Sequence, residues 1–407
     1  MNYNLLNMNG NRVVVGLSGG VDSSVAAYLL KQQGFEVIGM FMINWHETTG
    51  TLSGDCPWED DVIFAKLVAR KLGIEFHQVD FSEQYRQRVV DYMFSEYQQG
   101  RTPNPDVLCN REVKFDLFAK AAFELGADYV ATGHYCRKEE IEKDGKTYYR
   151  LLAGSDPSKD QSYFLCQINQ EQLSAALFPI GHLLKKDLRD IAREIGLATA
   201  EKKDSQGICF VGKVDLPEFL QQKLTAKDGD VIEIPKTIDK VHHYLKPDIS
   251  KLYLLEELKH FSTEKVLIPE LGGKVGEHRG SHFYTIGQRK GLNIGGKAEP
   301  LFVLQTDVKD NIVYVGQGHD HPVLNRYGLF IPKNEIHWIR PDLKMKPGDH
   351  WPLLVRIRYR QALQEAALYM HNDGMYILFK EAQRGITPGQ FAAWYDGEEM
   401  IGSGVIA

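Results

Sequence analysis

The stretch G-L-S-G-G-V-D-S-S, from Gly16 to Ser24, decides the fold because it places a glycine-rich loop directly behind an apolar strand. Val13, Val14 and Val15 precede it as a short β-branched run, and an apolar helical pattern from Val25 to Leu30 follows. Glycine permits close approach of the backbone to a ligand, and the N–H groups at a helix N-terminus attract anions. The stretch predicts a phosphate-binding loop, with an ordinary capped turn as the alternative.

The size and composition of the chain narrow the class of protein. Its 407 residues are enough for two or three domains, each with its own core. The sequence has no run of roughly 18 apolar residues and no signal-peptide pattern at its start, so we expect a cytoplasmic protein without a membrane span. The cysteines are scattered without a C-x-x-C pair and predict reduced thiols; they are Cys56, Cys109, Cys136, Cys166 and Cys209.

Strands and helices alternate up to about residue 212, which predicts an α/β domain with a doubly wound parallel sheet. Ligands of such sheets bind at the carboxyl ends of the strands, where Gly16–Ser23, Met42, and Gly133 with His134 fall. We therefore expect these segments to line one crevice. The predicted strands are Glu36–Met42, Glu75–Val79 and Asp128–Thr132, and the predicted helices are Asp60–Leu72, Glu112–Leu125 and Lys186–Ile195.

Beyond residue 212 the pattern changes to short strands separated by turn signals, which predicts a small β-barrel. Lys309, Asp310 and Asn311 predict the turn of a hairpin between Phe302–Thr306 and Ile312–Val315. Further strands are predicted at Val355–Tyr359, Glu365–Tyr369, Met375–Phe379 and Phe391–Tyr395.

The net charge of −6 gives no overall signature of nucleic-acid binding, but two segments of the second half are locally basic. Solvated loop charge is one explanation, and contacts with a phosphate backbone are the other. The first cluster is Lys274, Arg279, Arg289, Lys290 and Lys297 against Glu277, and the second is Lys344, Lys346, Arg356, Arg358 and Arg360 against Asp349.

A cysteine lies in the motif T-P-N-P-D-V-L-C-N-R-E, which runs from Thr102 to Glu112. Pro103 and Pro105 predict an extended loop, and one turn would bring Asp106 and Cys109 to the same side just before a helix. This is a candidate thiol and carboxylate pair. The alternatives are that Asp106 caps the helix and that Cys109 is a small buried residue.

A second motif, K-K-D-S-Q-G-I-C-F-V-G from Lys202 to Gly212, places Cys209 in a short apolar strand after a turn. Taken alone, this pattern is typical of a cysteine in a protein core.

The glycine-rich loop reads S-G-G-x-D-S and resembles that of the ATP pyrophosphatases; it is not a Walker A sequence, because no G-K-[ST] follows. Over almost the whole chain, and in the same order, the motifs resemble those of the bacterial tRNA-specific 2-thiouridylases. Besides the three motifs above, the matching segments are F-M-I-N-W from Phe41, A-T-G-H-Y from Ala131, K-D-Q-S-Y-F-L from Lys159, T-I-G-Q-R-K-G-L from Thr285, R-Y-R-Q from Arg358 and T-P-G-Q from Thr387.

The resemblance implies a fold and a set of site residues. It implies an N-terminal ATP-pyrophosphatase domain at 1–212, a central domain at 213–322, and a C-terminal tRNA-binding β-barrel at 323–407. It implies Cys109 as the nucleophile, Cys209 as the persulfide carrier, and Asp106 as a general acid or base. The implied ATP contacts are Gly16, Leu17, Ser18, Gly19, Gly20, Val21, Asp22, Ser23, Met42 and Gly133. The implied tRNA contacts are Asn104, Pro105 and Asp106 at the target base, and His134, Lys159, Asp160, Gln161, Arg358, Tyr359 and Gln390 elsewhere.

The resemblance also implies the chemistry. The family replaces the C2 oxygen of the wobble uridine by sulfur in the tRNAs for Lys, Glu and Gln. ATP, expected with Mg²⁺, would first adenylate that oxygen and release pyrophosphate. A sulfur-relay protein or a cysteine desulfurase would load Cys209, whose persulfide would attack C2 directly or give up its terminal sulfur as hydrosulfide. Attack by Cys109 would free the sulfur and leave a disulfide. The base must be unstacked to reach the crevice.

Three alternatives stay open from the sequence. A small-molecule ligase of the pyrophosphatase type would share the loop but would not need paired cysteines or an RNA-facing barrel. A non-catalytic RNA-binding relative would be expected to have lost a loop residue or a cysteine, and neither loss is seen. In a third variant, Asp106, Cys109 and Cys209 are three ligands of an iron–sulfur cluster.

Residues 235–267 look like an insertion relative to the family. Within it, Asp248–Phe261 predicts an amphipathic helix with Leu252, Leu255 and Leu258 on one side. We expect a surface decoration that packs on the central domain.

Overall fold

The structure is a computed structural model that describes residues 11–46, 58–204, 216–237 and 246–407. Within these ranges the strands are β1 (Arg12–Gly16), β2 (Glu36–Ile43), β3 (Glu75–Asp80), β4 (Tyr129–Ala131), β5 (Cys136–Lys143), β6 (Lys146–Ala153), β7 (Ala176–Leu177), β8 (Gly229–Glu233), β9 (Gly273–His278), β10 (Leu301–Asp307), β11 (Ile312–Gln317), β12 (Asn325–Pro332), β13 (Ile336–Trp338), β14 (His350–Arg356), β15 (Gln364–Met370), β16 (Gly374–Arg384), β17 (Phe391–Asp396) and β18 (Glu399–Val405). The helices are α1 (Val21–Gln32), α2 (Glu59–Leu72), α3 (Ser82–Tyr85), α4 (Asp91–Gln98), α5 (Pro105–Leu108), α6 (Phe118–Glu124), α7 (Gln170–Ala175), α8 (Lys185–Glu194), α9 (Leu216–Leu220) and α10 (Leu255–Ser262). Two π-helical segments, Arg86–Val90 and Cys109–Leu117, join α3 to α4 and α5 to α6.

The N-terminal part is built on a parallel sheet in the order β3-β2-β1-β4-β7. Its central strand β1 is buried on both faces. Val13 and Val15 pack in one cluster with residues of α1 and α2, whereas Val14 lies in a second cluster that includes Phe118 of α6. Helices therefore cover both faces, and the predicted doubly wound α/β fold is confirmed. The helix predicted from Glu112 begins earlier, at Pro105.

The middle of the chain forms a separate sheet in the order β10-β11-β8-β9. The predicted hairpin is confirmed as the antiparallel pair β10 and β11, in which Val303 lies opposite Val315. Asn311 in its turn has a φ of +55°, a conformation that asparagine tolerates better than most residues.

The C-terminal part is a large antiparallel sheet in the order β12-β16-β15-β14-β17-β18-β6-β5, with β13 also pairing with β18. The predicted barrel strands are found, with one correction. The strand predicted at Val355–Tyr359 ends at Arg356, and the chain then turns through Arg360, which has a φ of +65°.

One hairpin of the N-terminal half joins this C-terminal sheet. Strands β5 and β6 pair with each other, and Leu151 of β6 lies opposite Met400 of β18. The two predicted domains thus share one sheet, and the boundaries predicted at residues 212 and 322 stay predictions.

The insertion differs from its prediction in two ways. The helix begins at Leu255 and not at Asp248, and the side chain of Leu252 is 77% exposed. The helix packs on the C-terminal sheet, because Leu258 is buried in one cluster with Tyr369 and Leu378, whereas Leu267 at the end of the insertion packs on the central sheet as predicted. In the described ranges, no helix is both long enough and apolar enough to cross a lipid bilayer.

Candidate active site

The glycine-rich loop leaves β1 at Gly16 and enters α1 at Val21. Gly19 has a φ of +72°, and a Cβ at this position would collide with the carbonyl oxygen of Asp61. Gly20 is the N-cap of α1, and within the described ranges no side chain caps the helix there. The first N–H groups of α1 are therefore left to an anion, which is the arrangement that a phosphate site needs.

Two serine hydroxyl groups and a glycine from another segment, Gly133, complete the site at this loop. The N–H of Ser18 donates to Ser23 Oγ over 3.1 Å, and the two serine hydroxyls lie 3.2 Å apart. Gly133, which follows β4, packs so closely that a Cβ there would lie 2.6 Å from the nitrogen of Ser23. The methyl group of Met42 would lie 3.7 Å from a Cβ at Gly16. The three segments predicted to share a crevice thus meet at the carboxyl edge of the sheet.

Asp22 of the loop is held by two residues that the sequence analysis missed. Lys185 Nζ donates to both carboxylate oxygens of Asp22, over 2.7 and 2.9 Å, and the hydroxyl of Tyr135 donates to Oδ1 over 2.9 Å. The ammonium group of Lys185 also lies 5.6 Å from the centre of the Tyr135 ring. Burial, and then the charge of Asp22, raise the pKa of Tyr135 strongly, so the phenol stays a donor.

Asp204 forms ion pairs with three cationic side chains, one of which is Lys185. Its carboxylate accepts from Lys159 over 2.9 Å, from Lys185 over 2.8 Å and from Arg189 over 3.0 Å. Burial by itself would raise the pKa of Asp204, but the hydrogen bonds from Lys185 and Lys159 outweigh it and lower the pKa to about 2. The carboxylate is therefore charged at neutral pH, and Lys159 is part of this ion-pair network.

Lys202 is a further cation at the glycine-rich loop. Its Nζ donates to the carbonyl oxygen of Gly19 over 3.1 Å and forms an ion pair with Asp61. Lys202 and Asp204 belong to the K-K-D-S-Q-G motif, so the sequence contained a signal for both. Lys185 had none, because it appears in the sequence only as the residue before a predicted helix.

The loop with Cys109 shares a hydrophobic cluster with Met42, at the end of β2. Asn104 caps α5 by accepting from the N–H of Val107 over 3.3 Å, with Pro105 in the first turn. The alternative in which Asp106 is the helix cap is therefore wrong. Cys109 is fully buried in the cluster that also contains Met42.

The other cysteines differ in what the structure describes. Cys56 and Cys209 lie outside the described residues. Cys136 and Cys166 are buried, and burial raises the pKa of Cys166 to about 12 and that of Cys136 well above the usual value. Both thiols are therefore protonated at neutral pH, which favours a structural role for them.

Two predicted tRNA contacts lie close to the glycine-rich loop. His134 is buried, and its Nδ1 is 2.7 Å from the hydroxyl oxygen of Thr132. Burial, and then the charge of Lys114, lower the pKa of His134 well below the usual value, so the ring is neutral. The side chain of Gln161 accepts from the N–H of Tyr135 over 3.0 Å.

The remaining predicted contacts lie where the two halves of the chain meet. Asp160 is buried, and its carboxylate pairs with Arg356 over 2.6 Å. The Tyr359 ring packs on that of Phe164, with 4.2 Å between the ring centres, and Gln390 lies against the loop of Cys109. Asp160 thus forms a buried ion pair between the two halves of the chain, and its contact with tRNA stays a prediction.

The basic clusters require a correction, because several of their charges already have partners. Lys274 pairs with Asp230 and Glu277, Lys297 pairs with Glu233, and Arg356 is buried against Asp160. In the described part of the chain, no ion pair forms at Arg289, Lys290, Arg358 or Arg360, and these side chains are exposed. Arg358, Tyr359 and Arg360 line an open surface cavity of about 430 Å³ together with Gln361, Gln364, Ala382, Gln383 and Arg384.

The parallel sheet and its uncapped glycine-rich loop define an α/β nucleotide-binding protein of the ATP-pyrophosphatase class. The family profile described as "tRNA methyl transferase HUP domain" matches residues 11–213. A "tRNA methyl transferase PRC-barrel domain" profile matches residues 253–317, and an "Aminomethyltransferase beta-barrel domain" profile matches residues 331–406.

Curated relatives define the family more closely. The tRNA-specific 2-thiouridylase MnmA of Flavobacterium johnsoniae is 60% identical to this chain, with 97% of this chain and 100% of that protein covered. The proteins of the same name from Christiangramia forsetii and Halalkalibacterium halodurans are 59% and 44% identical, with 97% of this chain and 100% and 94% of those proteins covered. The chain belongs to the family of tRNA-specific 2-thiouridylases.

Proposed function

We propose that this protein is a tRNA uridine 2-sulfurtransferase, which uses ATP to replace the C2 oxygen of the wobble uridine by sulfur. One observation carries this proposal: in a chain of this family, Cys109 is buried in the same core cluster as Met42, and Met42 lies against Gly16 of the glycine-rich loop. A small-molecule ligase would have no use for the exposed arginines of the barrel, and the motif residues whose loss would mark a non-catalytic relative are all present.

The phosphates of ATP fit the glycine-rich loop. The N-terminus of α1 and the hydroxyls of Ser18 and Ser23 would bind the β and γ phosphates. Lys185 and Lys202 supply positive charge beside them. The proposed nucleotide contacts remain Gly16 to Ser23, Met42 and Gly133.

The carboxylate of Asp22 is the proposed ligand for Mg²⁺. Magnesium in nucleotide sites usually uses one or two carboxylates, the phosphates and water. The described residues contain no group of three or more acidic, histidine or cysteine side chains that could hold a metal. The ion would neutralise phosphate charge, and Lys185, released from Asp22 but still paired with Asp204, would contact the pyrophosphate.

The reaction follows in two stages. The C2 oxygen of the uridine attacks the α phosphorus, the bond to the β phosphate breaks, and pyrophosphate leaves from the glycine-rich loop. The adenylated oxygen is a good leaving group, whereas the original carbonyl oxygen is not. Asp106, beside the base together with Asn104 and Pro105, is the proposed acid or base at N3.

Sulfur transfer uses the two motif cysteines. The thiolate of Cys109 attacks Sγ of the Cys209 persulfide, so the sulfur–sulfur bond of the persulfide breaks and hydrosulfide leaves. Hydrosulfide adds to C2 and AMP departs with the original oxygen. The enzyme is left with a disulfide between Cys109 and Cys209, which an external thiol must reduce before the next turnover.

We further propose the tRNAs for Lys, Glu and Gln as substrates and a sulfur-relay protein or a cysteine desulfurase as the sulfur donor. The target uridine would be flipped out of the anticodon loop into the crevice. His134, Lys159, Asp160, Gln161, Arg358 and Tyr359 are the proposed contacts to the rest of the tRNA, whereas the side chain of Gln390, predicted with them, is bonded to the loop of Cys109.

The test is a reconstituted reaction with ATP, Mg²⁺, a cysteine desulfurase system and tRNA that lacks the modification. We expect 2-thiouridine at the wobble position by mass spectrometry, with one pyrophosphate released per modified base. A transcript with cytidine at that position is the matched control. Iron analysis of anaerobically purified protein separates the persulfide route, which needs no iron, from the iron–sulfur alternative.

A further inference from the structure

The loop of Cys109 is held at its beginning by a turn of the C-terminal barrel. Nε2 of Gln390 donates to the carbonyl oxygens of Thr102, over 2.8 Å, and of Pro103, over 3.1 Å. The N–H of Thr102 donates in return to the carbonyl oxygen of Pro388 over 2.9 Å. Three hydrogen bonds therefore join the barrel to the two residues that precede Asn104.

The turn is shaped for this contact and is itself anchored. Gly389 has a φ of +88°, and a Cβ there would lie 3.0 Å from both the nitrogen and the oxygen of Thr102. The N–H of Gly389 donates to the carbonyl oxygen of Ile406, and the N–H of Ile406 donates to that of Gln390, each over 2.9 Å. The last residues of the chain thus hold the turn in place.

The barrel also reaches the other end of the loop. Tyr359 packs on the ring of Phe164, and the carbonyl oxygen of Phe164 accepts from Nδ2 of Asn110 over 3.0 Å. The same Nδ2 donates to the carbonyl oxygen of Asp106 over 3.1 Å. Both ends of the segment that carries Asp106 and Cys109 therefore depend on barrel residues.

We propose that the barrel belongs to the catalytic framework, and that Gln390 is a positioning residue that holds the loop of Asp106 and Cys109. An amide has two N–H donors, and Gln390 uses its Nε2 for two backbone carbonyls, so its capacity to donate to tRNA is already taken. The effect on catalysis rests on the proposed function, whereas the hydrogen bonds between Gln390 and the loop of Cys109 do not depend on it.

The first measurement follows the thiol of Cys109 in the free, full-length protein. Gln390→Met keeps the length of the side chain and removes the donor, and Gln390→Glu keeps the shape but faces two carbonyl oxygens with a carboxylate. Because loss of these bonds favours local opening, we expect alkylation of the buried Cys109 to be about tenfold faster in both variants, by peptide mass spectrometry. The buried Cys136 and Cys166 report on the rest of the fold, and their rates should not change. Gln364→Met is the matched control for alkylation, because the hydrogen bonds of this glutamine to other described residues stay within the barrel.

The second measurement is single-turnover thiolation at saturating tRNA. We expect the rate constant to fall about tenfold in the Gln390 variants while the Kd for tRNA changes less than about twofold. A raised Kd with unchanged Cys109 alkylation would overturn the proposal and make Gln390 a tRNA contact. Equal acceleration at Cys109, Cys136 and Cys166 in both variants would also overturn it, because the substitution would then loosen the whole fold. Alkylation needs neither ATP nor tRNA. A wild-type protein without thiolation activity would therefore refute the proposed function, while the alkylation rates would still test whether Gln390 holds the loop of Cys109.

Discussion

Short stretches of sequence predict both the glycine-rich crevice and the basic clusters, but only the crevice residues come together in the structure as predicted, whereas several charges of the clusters are already paired. In the crevice, Ser18 and Gly133 each lie close against Ser23, as their places at strand ends require. In the clusters, Lys274 and Lys297 are neutralised by acids that are distant in sequence from them.

The difference lies in what each feature depends on. A glycine at a strand end takes its conformation from the local chain, so a motif determines the loop directly. The availability of a charge depends on tertiary partners: Arg356 and Arg358 stand two residues apart, yet the first is buried in an ion pair and the second is exposed. Motifs therefore predict chemistry better than runs of charge predict binding.

The largest expected effect tests whether the cysteines of the two motifs carry the chemistry. Serine in place of Cys109 or of Cys209 should abolish 2-thiouridine formation, because each replacement removes one partner of the sulfur–sulfur exchange. We expect a loss of at least about 1,000-fold, measured by nucleoside mass spectrometry. In sulfur-loaded wild-type protein the extra sulfur should be on Cys209.

Cys166→Ala is the matched control, because Cys166 is buried and belongs to no predicted active motif. It should keep most of the activity at a temperature where it is folded. Loss of bound iron from both serine variants would instead support a cluster, and full activity of either variant would remove that cysteine from the reaction.

The next effect concerns the loop carboxylate. Asp22→Ala removes the proposed Mg²⁺ ligand and the carboxylate that Lys185 and Tyr135 contact, so tRNA-dependent pyrophosphate release should fall about 100-fold. Ser18→Ala removes one phosphate contact, and we expect a fall of about tenfold.

Asp187→Asn is the control for both loop variants, because it changes an exposed carboxylate of α8 two residues from Lys185. It should release pyrophosphate at the wild-type rate. Wild-type turnover by a protein with both loop substitutions would show that the glycine-rich loop does not carry the reaction.

Much of the fold followed from the sequence, and its exceptions have physical causes. The alternation of strands and helices depends on local periodicity, and it predicted the position of β2, β3 and α2 closely. The pairing of β6 with β18 joins residues more than two hundred positions apart, and no local pattern encodes it. The interaction of Lys185 with Asp22 escaped prediction for the same reason.

A moderate effect tests whether the exposed cations of the basic clusters bind tRNA while the paired cations do not. Arg360→Ala and Lys290→Ala remove exposed cations, so each should weaken tRNA binding a fewfold and lower the salt slope of binding by about one. Lys274→Ala removes a cation of the same clusters that is already paired with Asp230 and Glu277, and the slope should not change. Filter-binding titrations across salt measure all three. Equal slopes in the three variants would mean that the ion pairs of the free protein do not decide which charges meet tRNA.

The smallest expected effect on activity concerns the insertion. Leu258 is fully buried against Tyr369 and Leu378 of the C-terminal sheet, whereas Leu252, six residues earlier, is 77% exposed. Leu258→Ala leaves a cavity and should lower the free energy of unfolding by about 2 to 5 kcal/mol, whereas Leu252→Ala should change it by less than about 0.5 kcal/mol. Thermal and urea unfolding measure this difference, and thiolation well below the melting temperature should be unaffected in both. Because the insertion covers the apolar side chains of β15 and β16, its removal should destabilise the barrel. Equal stability of the two leucine variants would contradict the packing of the insertion on this sheet.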